Sequence, residues 1–412
     1  MKEIRPNPRP IVTPPPSKSL THRALICGAL AEGEQSQIIT PGLSRDTAAT
    51  LGALRAMGAT VTEAESAVTI RGGLHCPAAP IDCDESGSTL RFLIPVAAML
   101  GGEIAFTGRG RLLQRPHQVY EAVFARAGAR YRRQDNCIVV GGPLRGGRYA
   151  VPGDISSQFI SGLLLALPLA EEGSALTLET PLESRGYVDM TIDVMHRFGV
   201  DIHRETDGFV IPGGQRYRGT SYTVESDFSQ AAFFLGAAAL GRDVQCRGLN
   251  PNSLQGDRAI LPVLEAMGAT VTWRDGLLSV QADGLRAVTV DVRDIPDLVP
   301  PIAALLCVSK GTGRIVNAGR LRHKESDRLA ALATELSRLG ADITEEPEAL
   351  CIRGQETLRG GQADAHGDHR IAMALGLAAI RCEEPVLLTG SECVDKSYPA
   401  FWADFEGGDG DE

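Results

Sequence analysis

Lysine is nearly missing from this chain. Of its 41 Lys and Arg residues only Lys2, Lys18, Lys310, Lys324 and Lys396 are lysines, which leaves 36 arginines. Excess positive charge is missing too. Asp and Glu number 51, for a formal net charge of −10, so the chain lacks the electrostatic footprint of a nucleic-acid or anionic-lipid binder. The longest strongly apolar stretch, near residues 159–170, falls well short of the roughly 20 residues that span a bilayer. The start, MKEIRPNPRPIV, has no apolar leader. These absences predict a cytoplasmic protein with no membrane and no nucleic-acid partner. The nine cysteines include no Cys-x-x-Cys pair and no His-flanked spacing; they read as reduced thiols, neither a disulfide frame nor a zinc site. No GxGxxG follows a strand, and GxxxxGK[ST], HExxH and GxSxG are absent. Dinucleotide, P-loop, zincin and serine-hydrolase chemistries therefore lack their motifs.

What is present is repetition. A helix tail ending in glycine and leading into a strand recurs as LRAMGATV, FARAGARY, MHRFGVDI, LEAMGATV and LSRLGADI, with Gly58, Gly128, Gly199, Gly268 and Gly340 spaced by 70, 71, 69 and 72 residues. Glycine is expected just past a helix end because it accepts a left-handed backbone. A second series runs in phase. Apolar helices open at SKSLTHR, SGSTLRF, SSQFISG, DFSQAAF, IPDLVPP and GDHRIAM, and the markers Ser19, Ser88, Ser157, Ser229, Asp297 and His369 step by 69, 69, 72, 68 and 72. Each of these helices leads to a strand: SQIIT, GEIAF, ALTLE, DVQCR, GRIVN or PVLLT.

Six units of about 70 residues are too long for a solenoid and too short to stand alone, so three around a shared core make a domain and the chain makes two. The sixth unit is truncated, and the first dozen residues are available to supply its missing strand. The chain is then expected to divide into residues 13–223 and residues 1–12 with 224–412.

Polar residues at helix starts are usually caps. Together, however, six such starts would offer backbone N–H groups and positive dipole ends to anions. Capping does not account for the cations: Lys18 and Arg23 near one start, Lys324 and Arg328 with Glu325 near another, His369 and Arg370 at a third, Arg115 in RGRLLQRPH and Lys396 in the loop CVDKSYP. A cation at a helix N-terminus opposes the dipole and costs stability, so the sequence supplies no structural reason for it. Arg suits bidentate grasp of carboxylate and phosphate, and Lys can also move a proton. The set points to a small polyanionic substrate, with Asp297, Glu325 and His369 as candidate proton carriers. RYRRQDN (130–136) reads as a solvated hairpin surface.

The motifs PPSKSLTHR, SGSTLR, RP at 115–116, DISSQF, ESRGY, IPD, HKESDRL, GDHRIAM and CVDKSYP closely resemble those of the 5-enolpyruvylshikimate-3-phosphate synthase family, in its order and over nearly the whole chain. The resemblance implies an α/β fold of two domains. Each would hold three repeated βαβαββ-type units (an inverse α/β barrel), with helix N-termini facing an interdomain cleft. It implies enolpyruvyl transfer from phosphoenolpyruvate to the 5-hydroxyl of shikimate 3-phosphate, without metal or organic cofactor. Shikimate 3-phosphate would be held by Lys18, Ser19, Arg23, Ser156, Ser157, Gln158, Ser184, Tyr187, Asp297 and Lys324. Phosphoenolpyruvate would meet Lys18, Gly87, Arg115, Gln158, Arg328, Arg370 and Lys396. The catalytic residues implied are Asp297 as base, Glu325 at the methyl proton and Lys18 between the reacting oxygens, with His369 in support. The small molecules would be the only partners, and a monomer is expected.

Four residues in two places depart from the family pattern. Glu85-Ser86-Gly87-Ser88 stands where Asn-Ala-Gly-Thr is frequent, and Arg320 where Asn is common. The family is the target of glyphosate, which competes with phosphoenolpyruvate; the altered loop leaves that response open. Three rivals remain. The sister transferase acting on UDP-N-acetylglucosamine typically has a cysteine in the loop matching 108–116, where GRGRLLQRP has none. An RNA 3′-phosphate cyclase would need a basic surface. A non-catalytic anion binder would have no use for Asp297, Glu325 and Lys18.

Overall fold

The computed structural model describes residues 1–407. The last acidic residues, 408–412, part of a tail expected to be disordered, lie outside the described residues. Two compact units are present, one of Pro16–Val224 and one of Met1–Pro15 with the chain from Glu225 on.

Among the described residues twelve α-helices alternate between two roles. α1 (Lys18–Leu30), α3 (Gly87–Met99), α5 (Ser157–Ala166), α7 (Phe228–Ala239), α9 (Val299–Cys307) and α11 (His369–Ala379) are the apolar helices whose starts the sequence marks. They are buried along nearly their whole length. A helix apolar on all sides has to be enclosed, and these form the centres of two separate cores. α2 (Arg45–Ala56), α4 (Gln118–Ala127), α6 (Arg185–Arg197), α8 (Ile260–Ala266), α10 (Arg328–Arg338) and α12 (Phe401–Phe405) are the second set. α10 is two-sided, with Leu329, Leu332 and Leu336 fully buried; each contributes about 1.5–3 kcal/mol by leaving water. The five repeat glycines, Gly58, Gly128, Gly199, Gly268 and Gly340, all have φ between 66° and 102°, the left-handed turn that ends α2, α4, α6, α8 and α10.

The repeat is βαβαββ. Arg148–Val151 runs parallel to Ser174–Leu178 across α5, and after α6 a hairpin of His203–Glu205 and Gly208–Ile211 adds antiparallel to the sheet. A βαβ crossover followed by a hairpin accounts for this strand order. Among the described residues five sheets have four strands and one has three. The strands expected after the central helices are in place, shifted or trimmed by a residue or two; DVQCR, for example, shortens to Gln245–Arg247.

Three strands pair with repeats far away in sequence. Ser221–Thr223 pairs parallel with Gln35–Ile39. Ile11–Val12 pairs parallel with Gln245–Arg247. Lys2–Ile4 pairs antiparallel with Val386–Thr389 in the three-stranded sheet. Among the described residues, no helix is long and apolar enough to cross a membrane, and all nine cysteines are free.

Candidate active site

The first cluster grows from the start of α1. Lys18 opens that helix, and its Nζ lies 2.9 Å from Oδ2 of Asp46 at the start of α2. Arg23, 2% exposed, reaches back one turn: its Nη1 donates to the Ser19 carbonyl (2.7 Å), its Nε to Thr191 Oγ1 (2.7 Å) and its Nη2 to the Tyr187 carbonyl (2.9 Å). Its guanidinium also stacks over Phe92, 4.9 Å from the ring centre. The arginine thus ties α1 to α6 and gathers Ser19, Arg23 and Tyr187. Ser184, just before α6, is 3% exposed and held at φ +55°, a conformation that costs a non-glycine residue free energy and recurs at ligand sites.

Beside it stands a second group. Ser86 caps α3, its Oγ accepting from Thr89 N at 3.2 Å, and Ser156 caps α5 through Gln158 N at 3.4 Å. Gln158 donates to Ser88 Oγ (2.9 Å) and accepts from Arg91 Nη1 (2.7 Å). A Cβ on Gly87 would sit 2.9 Å from Arg115 Nη1 and 3.5 Å from Gln158 Oε1. Gly87, Arg115 and Gln158 therefore meet, and only a missing side chain leaves the guanidinium its place. Arg91 also donates to the Pro116 carbonyl at 3.1 Å, which fixes the loop carrying Arg115. Glu85 approaches Gly110, and Asp84 next to it binds Arg45 through both carboxylate oxygens.

The third cluster lies in the other unit, at the starts of α9, α10 and α11. The Asp297 carboxylate is approached by Arg328 (3.1 Å), Arg370 (3.0 Å) and Lys324 (3.6 Å). Arg328, 2% exposed, also pairs with Glu325 (2.8 Å) and with the fully buried Asp368 (2.8 Å). Asp368 caps α11 by accepting from Arg370 N at 3.0 Å and accepts from Ser326 Oγ at 3.1 Å. Arg370 donates to Ser229 Oγ of α7 (2.9 Å), which brings a third central helix to the same place. Three carboxylates hold the Arg328 guanidinium firmly charged. Burial acts oppositely on Lys324 and brings it down to about 8 despite Asp297. Lys396 closes the 3₁₀ turn Ser391–Lys396, which packs against α11, and is 7% exposed.

Two expectations need correction. A structural reason for cations at helix starts is not lacking: Arg328 and Arg370 face Asp297 and Asp368, and Lys18 faces Asp46, so carboxylates offset the opposed dipoles. Lys396 lies on a 3₁₀ turn, not in an irregular loop. Arg320, whose departure from the family pattern was noted, donates to the Arg293 carbonyl. Sequence reasoning passed over Asp46, Arg91 and Asp368. Arg91 and Asp368 stand within SGSTLR and GDHRIAM, motifs already singled out, whereas Asp46 lies outside all of them. Among the described residues no three His, Cys, Asp or Glu side chains are grouped to hold a metal ion.

The fold and these clusters define an enolpyruvyl-transferase-type scaffold. The chain superposes on EPSP synthase from Acinetobacter baumannii with a TM-score of 0.81 at 28% identity, covering 98% of this chain and 97% of that one. It also superposes on the enolpyruvyl transferase NikO from Streptomyces tendae with a TM-score of 0.80, at 18% identity and over 98% and 96% of the two chains, a likeness of fold. The model of the EPSP synthase (3-phosphoshikimate 1-carboxyvinyltransferase) family matches residues 7–405, and the chain belongs to that family. It is 44% identical to a 3-phosphoshikimate 1-carboxyvinyltransferase of Clostridium kluyveri over 100% of this chain and 99% of that protein. With the one from Clostridium acetobutylicum the identity is 45%, over 96% and 94%.

Proposed function

We infer that this enzyme transfers the enolpyruvyl group of phosphoenolpyruvate to the 5-hydroxyl of shikimate 3-phosphate. The products are 5-enolpyruvylshikimate 3-phosphate and phosphate, in the shikimate pathway to chorismate and the aromatic amino acids. Family membership over residues 7–405 supports the reaction. The observation that carries the residue roles is the cluster of Asp297, Glu325 and Lys324 with Arg328 and Arg370, where acids able to move protons sit among cations able to hold a phosphate and a carboxylate.

The chemistry needs both kinds of group. A proton is added to C3 of the enol, and the 5-hydroxyl attacks C2 as it loses its proton. The tetrahedral adduct then expels phosphate while a proton leaves the new methyl group. In our reading Asp297 takes the hydroxyl proton, Glu325 exchanges the methyl proton, and Lys18 stabilises charge between the reacting oxygens. Arg328 and Arg370 both bond to Asp297; an anion that takes over those N–H groups frees the carboxylate to act as base. Phosphoenolpyruvate is assigned to Lys18, Gly87, Arg115, Gln158, Arg328, Arg370 and Lys396. Shikimate 3-phosphate is assigned to Lys18, Ser19, Arg23, Ser156, Ser157, Gln158, Ser184, Tyr187, Asp297 and Lys324. The first domain (13–223) would carry the main shikimate 3-phosphate site, and the rest of the chain the catalytic carboxylates. We further propose a cytoplasmic monomer that works without metal or organic cofactor.

The test is phosphate release from phosphoenolpyruvate, with and without shikimate 3-phosphate, in chelator-treated buffer. Release that needs both substrates and is lost in Asp297→Ala supports the assignment. Release with UDP-N-acetylglucosamine instead overturns the acceptor. Binding of both ligands with no release overturns the catalytic roles.

A further inference from the structure

His22 lies between Lys18 and Arg23 on α1 and is fully buried. It belongs to no ligand set proposed above, and its surroundings do not suit a residue that only fills space. Nδ1 is 2.7 Å from Thr50 Oγ1 on α2, which is 2.6 Å from Thr89 Oγ1 on α3, which donates at 2.7 Å to Ser86 Oγ. Ser86 Oγ is the cap of α3. The chain therefore runs from the helix of Lys18 to the turn that presents Gly87 and Ser88. The other ring nitrogen, Nε2, is buried without a hydrogen-bond partner. Leaving it so costs stability, a cost that an apolar side chain of similar size would avoid. Phe92 of α3 packs edge-on against the ring, 6.5 Å between centres, and fixes its plane. Burial also lowers the imidazole to about 3, so the ring stays neutral and keeps one donor and one acceptor nitrogen near neutral pH.

We propose that His22 is a positioning residue for enolpyruvyl transfer, acting through Thr50 and Thr89 to set the first turn of α3 and hence the place of Gly87 and Ser88 against Arg115 and Gln158. The proposal rests on the reading of Gly87, Arg115 and Gln158 as phosphoenolpyruvate ligands. The effect is relayed: a hydroxyl chain across three helices holds the α3 start in register with α1, and small misplacements at a reacting centre are costly.

The experiment compares His22→Leu, His22→Asn, Thr50→Val and the double variant His22→Leu/Thr50→Val in the full-length enzyme, with Arg115→Ala as control. KM for each substrate, kcat and the melting temperature are read. Leucine at 22 and valine at 50 are each expected to raise KM for phosphoenolpyruvate by about tenfold, more than KM for shikimate 3-phosphate. The double variant is expected to be no worse than the poorer single, because both changes break one chain. Asparagine, whose side-chain amide can take the place of Nδ1, should restore KM to within about twofold. The melting temperature of His22→Leu should hold or rise, since the unpartnered nitrogen is gone. If both single variants leave this KM unchanged while Arg115→Ala raises it, the inference falls and the ligand assignment stands. If Arg115→Ala leaves it unchanged, the ligand assignment falls and takes the inference with it. A melting temperature that drops with KM unaltered makes His22 a packing residue and also overturns the proposal. Should His22→Leu fail to fold, the near-isosteric Thr50→Val decides by the same criteria.

Discussion

Replacing Gly87 by alanine separates binding from stability. The added Cβ would stand 2.9 Å from Arg115 Nη1, and ordinary contact begins at 3.4 Å, so the guanidinium has to withdraw by about 0.5 Å. The far end of a flexible side chain can do so at little cost to the fold. Gly87 is the first residue of α3, where alanine is as good as glycine or better, by up to about 1 kcal/mol. The melting temperature should therefore stay or rise slightly. Binding should suffer, because a charge-assisted hydrogen bond is worth about 1.5–3 kcal/mol. Losing half of one by misplacement gives about 0.8–1.5 kcal/mol, or a KM for phosphoenolpyruvate raised roughly four- to thirteenfold. KM for shikimate 3-phosphate should change by less than about twofold, because its proposed contacts are spread over the starts of α1, α5 and α6 and the added Cβ stays at ordinary contact distance, 3.5 Å, from Gln158. Steady-state phosphate release with each substrate varied in turn measures both. An unchanged KM for phosphoenolpyruvate with normal folding would refute the placement of Arg115 at this substrate.

Other expectations follow from the same geometry. Asp297→Asn should lower kcat by about 10²–10⁴ with protein still folded, as single-turnover kinetics and circular dichroism would show; near-normal turnover would remove Asp297 from the base role. Lys324 should govern the alkaline limb of kcat/KM for shikimate 3-phosphate. Its folded pKa of about 8 lies below the ordinary 10.5, so the binding cation is lost as pH rises through 8, and Lys324→Arg should move that limb upward. The same depression means the charged lysine burdens the fold below pH 8, a burden relieved as pH rises from 8 toward 10.5; pH-dependent melting of wild type against Lys324→Met reads it. Glu335 is fully buried and accepts from Arg338 (2.8 Å) and Asp364 N (2.9 Å), with His366 Nε2 at 2.8 Å. Glu335→Gln turns an N–H group toward those donors and should cost about 1–3 kcal/mol, measurable by urea titration.

The architecture was legible because it is written six times. Glycines with left-handed backbones and apolar helix starts recur at one period, and both are local signals that need no partner to be recognised. The candidate site was legible wherever a cation broke the capping rule, as at Lys18, Arg328 and Arg370. What escaped was pairing. Asp46 reaches Lys18 across 28 residues, Arg91 reaches Gln158 across 67, and Asp368 reaches Arg328 across 40. Each acid or arginine looks like an ordinary helix-start residue until the central helices are packed side by side. The apparent excess of unopposed cations came from counting charges along the chain, whereas the fold pairs them between helices, within a repeat for Lys18 and Asp46 and across repeats for Arg328 and Asp368.

The strands that pair across long stretches of sequence impose an order of assembly on a protein made from its N-terminus. Pro16–Val224 finishes its last sheet with Ser221–Thr223, which is also the last strand of that unit to be synthesised. The other unit has no such convenience. Ile11–Val12 waits for Gln245–Arg247, and Lys2–Ile4 waits for Val386–Thr389. At roughly 5–20 residues per second, Ile4 is made about 20–75 seconds before Val386 exists. A complete folded unit is thus interposed in the chain while the earliest-made residues stand without their partners, and a nascent chain arrested near residue 380 would hold one finished unit and one that cannot close its sheet.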